Sequence, residues 1–214
     1  MKFERIGLVG HGEVGKIFSA GLLGQSGVTA VNAWDVKFAN PATQAAELGH
    51  AAQAGVAAQP SMQALCLASE LILCAVTASN TLAVAREAAP FIRPGTFFLD
   101  LNSASPGTKR ECAALIDAAG GHYVEAGVMT SVPPYGIKVP MLLGGARASE
   151  LAAVLAGWGM DAKVVSDQLG VASAIKMCRS IMIKGLEALV IESYTTARAY
   201  GVDCLLYTSD AADE

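Results

Sequence analysis

Ile6-Gly7-Leu8-Val9-Gly10-His11-Gly12-Glu13-Val14-Gly15 is the stretch whose reading decides the fold. A short apolar run of strand character ends at Gly10, and three glycines follow in Gly-x-Gly-x-x-Gly spacing. In a strand-to-helix turn the first permits the tight bend. The second lets backbone approach a pyrophosphate, and the third lets helix pack closely on strand. The helix that opens here would point its free N–H groups at phosphate. A chain with 22 glycines can carry this spacing by chance, so its surroundings decide the matter. Val28 to Trp34 reads as a second strand, and Asp35 ends it, twenty residues after Gly15. A carboxylate there accepts from the hydroxyls of an adenosine ribose and repels a 2′-phosphate. NAD is therefore the expected cofactor, while Lys37 offsets part of that repulsion and keeps NADP possible. The candidate cofactor residues are Gly10, His11, Gly12, Glu13, Val14, Gly15 and Asp35, with Val76, Thr77 and Asn102 at the ends of two later strands.

Outward from this turn, short apolar runs alternate with helix-length segments. Strands are predicted over 5–9, 29–34, 55–58, 71–76, 96–101 and 122–126, then near 139–143 and 162–165. Asn40-Pro41, Ser61, Asn80 and Ser105-Pro106 read as helix starts, and a further helix is predicted near 149–156. This alternation predicts an α/β fold with a doubly wound parallel sheet and helices on both faces. Residues 1–166 form the expected nucleotide-binding domain. From Val171 to Tyr200 there is no proline and a single glycine, which predicts one long helix stopped at Gly201. Residues 167–203 are read as the start of an all-α domain. Lys176, Arg179, Ser180, Lys184 and Glu187 recur on it at spacings of three and four, forming a polar stripe.

Composition removes several function classes. The net charge is −4 and the fifteen basic residues are scattered, so nucleic acid is not an expected partner. No apolar stretch reaches membrane-spanning length and the N-terminus lacks a signal core, so no membrane partner is expected. The five cysteines form no Cys-x-x-Cys pair and sit mostly in apolar runs, as thiols of a reducing cytoplasm do. His11, His50 and His122 lie far apart, and no metal site is expected.

Four ordered stretches resemble the β-hydroxyacid dehydrogenase family, relatives of 6-phosphogluconate and 3-hydroxyisobutyrate dehydrogenases. They are the glycine turn, Asp100-Leu101-Asn102-Ser103-Ala104-Ser105-Pro106, Glu125-Ala126-Gly127-Val128 with Val139 to Gly145, and Gly170 followed six residues later by Lys176. The resemblance implies hydride transfer between a nicotinamide and a small β-hydroxy acid. In it Lys176 is the general acid and base, and Asn102 and Ser103 orient substrate and cofactor. A lysine partly removed from water has its pKa lowered, which lets one amine both accept and donate the hydroxyl proton. Thr130, Ser131, Arg179 and Ser180 complete the candidate substrate residues. The sequence departs from the family where Met129-Thr130-Ser131 replaces a Ser-Gly-Gly, where Ser180 replaces an asparagine, and where Ile183 replaces an acid used in decarboxylation. The run from Lys176 to Ser180 with Lys184-Gly185 is similar to a subgroup with a distinct C-terminal domain, in which Arg179 or Lys184 would hold an anionic substrate group. The resemblance also implies a helical domain that covers the cleft and builds a homodimer or higher homo-oligomer. Residues 204–214 resemble a translated sequencing adapter and are read as a non-native tail on a truncated chain, which is expected to bind NAD weakly and turn over poorly. An imine reductase and a non-catalytic NAD-binding regulator are the alternatives. The regulator would have no need of Lys176 or Asn102.

Overall fold

The computed structural model describes residues 1–202. The candidate tail at 204–214 lies outside them. Eight strands form one sheet: β1 (Arg5–Val9), β2 (Ala30–Trp34), β3 (Ala57–Ala58), β4 (Leu71–Cys74), β5 (Phe97–Asp100), β6 (His122–Val128), β7 (Met141–Gly144) and β8 (Ala162–Ser166). Their order is β3-β2-β1-β4-β5-β6-β7-β8. The first six strands run parallel in the doubly wound 3-2-1-4-5-6 arrangement. The helices are α1 (Glu13–Leu22), α2 (Gln44–Gln53), α3 (Met62–Ala68), α4 (Thr81–Ala88), α5 (Pro106–Ala118), α6 (Ala148–Gly157) and α7 (Val171–Ala199).

The sheet is buried on both faces, and strand alternation sorts the side chains between them. Ile6, Leu8, Val31, Leu71, Leu73 and Leu99 point to one face, where Phe18 and Leu22 of α1, Ala51 of α2 and Leu151 and Leu155 of α6 cover them. Val9, Ile72, Cys74 and Phe98 point to the other, against Met62 and Leu65 of α3, Ala85 of α4 and Cys112 and Ile116 of α5. Each fully buried large aliphatic or aromatic side chain contributes roughly 1.5–3 kcal/mol. The near-continuous apolar strands read from the sequence are what a sheet covered on both faces requires.

Three local expectations are corrected. The sheet is not wholly parallel, because β7 runs antiparallel to β6. A parallel return needs a crossover of a dozen or more residues, usually a helix. The segment between β6 and β7 holds only the short 3₁₀ turn Gly136–Lys138. Pairing with β7 also carries β6 on to Val128. The helix expected at Asn40-Pro41 opens at Gln44 instead, since the Asn40 side chain accepts from the Ala42 N–H and builds a turn of its own. Finally β4 stops at Cys74, because the Val76 N–H is claimed by a side chain rather than by a neighbouring strand. Of the other predicted starts, Asn80 stands at the N-cap of α4 but its side chain donates to Thr77 and makes no cap bond, while the two serines cap as read. Ser61 accepts from the Ala64 N–H, and Ser105, followed by Pro106 at the first helical position, accepts from the Thr108 N–H.

The described chain divides into two compact units. The first, Met1–Lys176, holds the whole sheet and the first six residues of α7. The second begins at Met177 and holds the rest of α7, which closes at Gly201 with φ +70° and the Val202 N–H bonded to the Ala197 carbonyl. In it Ile181, Met182, Leu186 and Leu189 are exposed. No helix among the described residues is long and apolar enough to cross a membrane.

Candidate active site

The strand order reverses direction between β1, which leads to β2, and β4 on its other side. A doubly wound sheet leaves a crevice at the carboxyl ends of these strands. The glycine turn lies there, and two of its glycines are sterically obligatory. Gly10 has φ +88°, and a Cβ on it would stand 2.4 Å from the Ala75 carbonyl oxygen. A Cβ on Gly15 would stand 2.0 Å from the Gly10 carbonyl oxygen. Gly12 differs, since its Cβ direction is open. It caps α1 without a side-chain bond, so the first-turn N–H groups stay available to a ligand. An open approach over free helix N–H groups fits the pyrophosphate of a dinucleotide.

Asp35 anchors the turn from β2. Its Oδ2 accepts from the His11 N–H at 2.7 Å and its Oδ1 from the Lys37 N–H at 2.9 Å, so the carboxylate is held at the strand end. With Gly10, Trp34, Val36 and Val76 it lines a pocket of about 270 Å³. The His11 imidazole is buried against Phe38 with neither ring nitrogen hydrogen-bonded, and burial and the Lys16 charge hold its pKa below the usual histidine value.

The second cavity, about 400 Å³, brings together Glu13, Val14, Val76, Asn102, Ser103, Thr130, Ser131 and Lys176. All belong to the first compact unit. Asn102 is buried, and its amide is engaged within the protein. Its Oδ1 accepts from the Val76 N–H at 2.7 Å and its Nδ2 donates to Cys74 Sγ at 3.2 Å. It thereby ties the end of β5 to the end of β4 and presents Ser103 to the cleft. Thr77 caps the short turn Ala78–Asn80, its hydroxyl accepting from Asn80 Nδ2. Arg179 and Ser180 lie on the part of α7 that belongs to the second unit.

Lys176 Nζ donates to Ser103 Oγ at 2.6 Å. Partial burial, reinforced by the positive charge of Lys109, holds its pKa below the ordinary lysine value. Two buried groups that sequence reading did not single out place this lysine. Glu125 on β6 is fully buried; its Oε1 accepts from the N–H groups of Gly170 and Ala172, and its Oε2 from the Ser173 hydroxyl. This carboxylate satisfies the first turn of α7 and complements its dipole. Lys176 follows four residues after Ala172, on the same helix side. Gly127 makes the approach possible, since a Cβ there would lie 3.0 Å from the Ala172 carbonyl oxygen. Glu125 opens the stretch Glu125-Ala126-Gly127-Val128, but nothing in its own sequence surroundings marks it as a cap for residues forty-five positions away.

The second group is an ion pair under the cleft. Lys109 of α5, wholly buried, donates to the Asp100 carbonyl at 2.9 Å and lies 3.0 Å from Asp100 Oδ1. The other carboxylate oxygen accepts from the Tyr123 hydroxyl, and Oδ1 also accepts from the Asn102 N–H. The loop that carries Asn102 and Ser103 is thus hung on a buried charge. Among the described residues no acidic, histidine and cysteine cluster suited to a metal occurs.

One consequence is directly measurable. Glu125→Gln puts an amide NH2 or a lone carbonyl against three donors and is expected to lower unfolding stability by about 1–3 kcal/mol in urea titration. A change within about 0.5 kcal/mol, the range of ordinary surface substitutions, would sink the capping argument.

The family model describing the NAD binding domain of 6-phosphogluconate dehydrogenase matches residues 5–156. Among solved structures, a conserved hypothetical protein of Sinorhizobium meliloti 1021 is 39% identical. It superposes with a TM-score of 0.82 over 94% of this chain and 67% of that one. The conserved protein MTH1747, of unknown function and described as structurally similar to 3-hydroxyacid dehydrogenases, is 30% identical, with a TM-score of 0.75 over 95% of this chain and 76% of that one. An uncharacterised 28.5 kDa protein of Methanothermus fervidus, encoded in the 7S RNA 5′ region, is 28% identical over 134 residues. Those residues are 63% of this chain and 50% of that protein, so the match spans half the length of this curated relative. By the family match and by the fold, the chain belongs to the family of the NAD-binding domain of 6-phosphogluconate dehydrogenase.

Proposed function

We propose that the protein is an NAD(P)-dependent oxidoreductase that moves hydride between a nicotinamide and a small β-hydroxy acid, with Lys176 as its general acid and base. The observation that carries the reading is the 2.6 Å hydrogen bond from Lys176 Nζ to Ser103 Oγ at the mouth of the cleft beside the glycine turn. A bound nicotinamide supplies the hydride acceptor, and this chain supplies the remainder. The free N–H groups of α1 hold the pyrophosphate, and Asp35 meets the adenosine ribose. Ser103 orients the substrate hydroxyl toward the lysine amine, which takes its proton in oxidation and returns it in reduction. Asn102 acts by holding the ends of β4 and β5 in register rather than by touching substrate. Thr130 and Ser131 offer hydroxyl donors to a substrate carboxylate, and Arg179 and Ser180 are assigned to the same substrate. Residues 1–166 serve as the nucleotide-binding domain and 167–203 as the start of a helical domain, with the working protein a homodimer or larger homo-oligomer.

The test is an assay of reduced-nicotinamide formation from a panel of β-hydroxy acids, run beside reduction of cyclic imines and direct titration with the dinucleotide. Oxidation of at least one hydroxy acid with rates that saturate is expected. Turnover of imines alone would replace the reading with imine reduction. Tight dinucleotide binding with no turnover of either class would replace it with a regulator.

A further inference from the structure

Behind Asp35, at the carboxyl edge of the sheet between α1 and α2, three charged or titratable side chains converge on one carboxylate. Glu47, in the first turn of α2, is 2.8 Å from Lys16 Nζ of α1 through Oε2, and 3.9 Å from Lys37 Nζ through Oε1. His50 Nδ1 lies 3.8 Å from Glu47 and 3.3 Å from Lys16 Nζ. The Glu47 side chain is only 16% exposed, whereas those of Lys16 and Lys37 are 36% and 48% exposed. Its pairing with Lys16 holds its carboxyl below the usual glutamate range, so it is ionised at neutral pH. His11, buried and neutral, and Asp35 complete the charged and titratable groups of this corner.

Resting on the dinucleotide reading above, we propose that Glu47 sets the choice between NAD and NADP by holding Lys16 and Lys37 away from the adenosine 2′ position. Asp35 marks that position, because its carboxylate closes the strand end beside the glycine turn and Lys37 follows two residues on through a shared backbone bond. A 2′-phosphate brings nearly two negative charges to a place where Asp35 already supplies one. It can be received only if nearby cations turn to it. With Glu47 ionised, the formal charges of Asp35, Glu47, Lys16 and Lys37 sum to zero and the two ammonium groups are occupied. Removing the Glu47 charge leaves the corner at +1 with both lysines released, while an unphosphorylated ribose, which bears no charge there, is little affected.

Glu47→Gln is therefore expected to raise NADPH affinity about tenfold or more at low ionic strength and to leave NADH affinity within about threefold. The gain should shrink as salt screens the exposed lysines. Titration of the 214-residue chain with each reduced dinucleotide, followed by nicotinamide fluorescence, measures both. The double change Glu47→Gln with Lys37→Met is expected to remove most of the gain. Glu47→Met fills the same half-buried place and should reproduce it if the glutamine variant does not fold. Equal shifts for the two dinucleotides, no gain for NADPH, or an unsubstituted protein that already prefers NADPH would overturn the assignment to Glu47. Failure of the unsubstituted chain to bind either dinucleotide would overturn the dinucleotide reading itself.

Discussion

Replacing Lys176 with methionine is expected to lower kcat by about 10²–10⁴-fold, the usual contribution of a positioned general acid or base, with dinucleotide affinity nearly unchanged. Methionine keeps the length and apolar stem of lysine, so the packing against Gly127 survives while the amine is lost. The pH dependence separates this role from a purely structural one. Burial and the Lys109 charge both disfavour the ammonium, so the folded pKa lies below that of an unfolded lysine. Oxidation needs the neutral amine and should accelerate as pH rises through the lowered value, whereas reduction needs the ammonium and should slow over the same range. Stability follows the same sign. Between the lowered value and the ordinary one the unfolded chain binds more protons, so unfolding free energy rises with pH across that window. Lys176→Met should abolish that slope. Unchanged kcat in the methionine variant, measured under saturating substrate, would remove Lys176 from the chemistry.

Lys109→Met is expected to destabilise the fold by about 3–5 kcal/mol, because it strands the Asp100 carboxylate in a site with no access to water. The Tyr123 hydroxyl and the Asn102 N–H remain as donors, but neither carries a compensating charge. The charge-neutral pair Asp100→Asn with Lys109→Met should recover most of the loss, since a buried pair replaced as a unit is often nearly neutral. Urea titration of the three proteins closes the comparison. A single variant as stable as the unsubstituted protein would show that the pair is dispensable.

The glycine turn and the strands on either side of it were legible because the information is local. The positive φ of Gly10 and the contact of Gly15 with the Gly10 carbonyl are backbone geometry over a few residues, and an apolar run of four or five residues means the same thing wherever it stands. The caps at Ser61 and Ser105 belong to this class, since a side chain bonding three residues onward is a sequence-level device. Reading failed where a local signal met competing partners. Asn40 satisfied a turn before it could cap a helix, and Val76 left the strand ladder for the Asn102 side chain. The direction of β7 depended on a helix that the connecting segment does not contain.

Of the candidate site, the residue types were visible and their supports were not. Lys176 and Ser103 are seventy-three residues apart, and only the sheet order puts β5 beside β6 and β6 beneath the start of α7. Glu125, Lys109 and Glu47 are charged residues in ordinary strand and helix sequence. Their meaning arises from burial and from partners on other elements. By itself the sequence determined the family, the doubly wound fold and the dinucleotide turn, because periodicity and short-range sterics are written along the chain. Only the tertiary structure decided which carboxylate caps the lysine-bearing helix, which ion pair underlies the cleft and which cations pair with Glu47. Electrostatic interactions and hydrogen bonds act across space between residues that the chain itself keeps far apart.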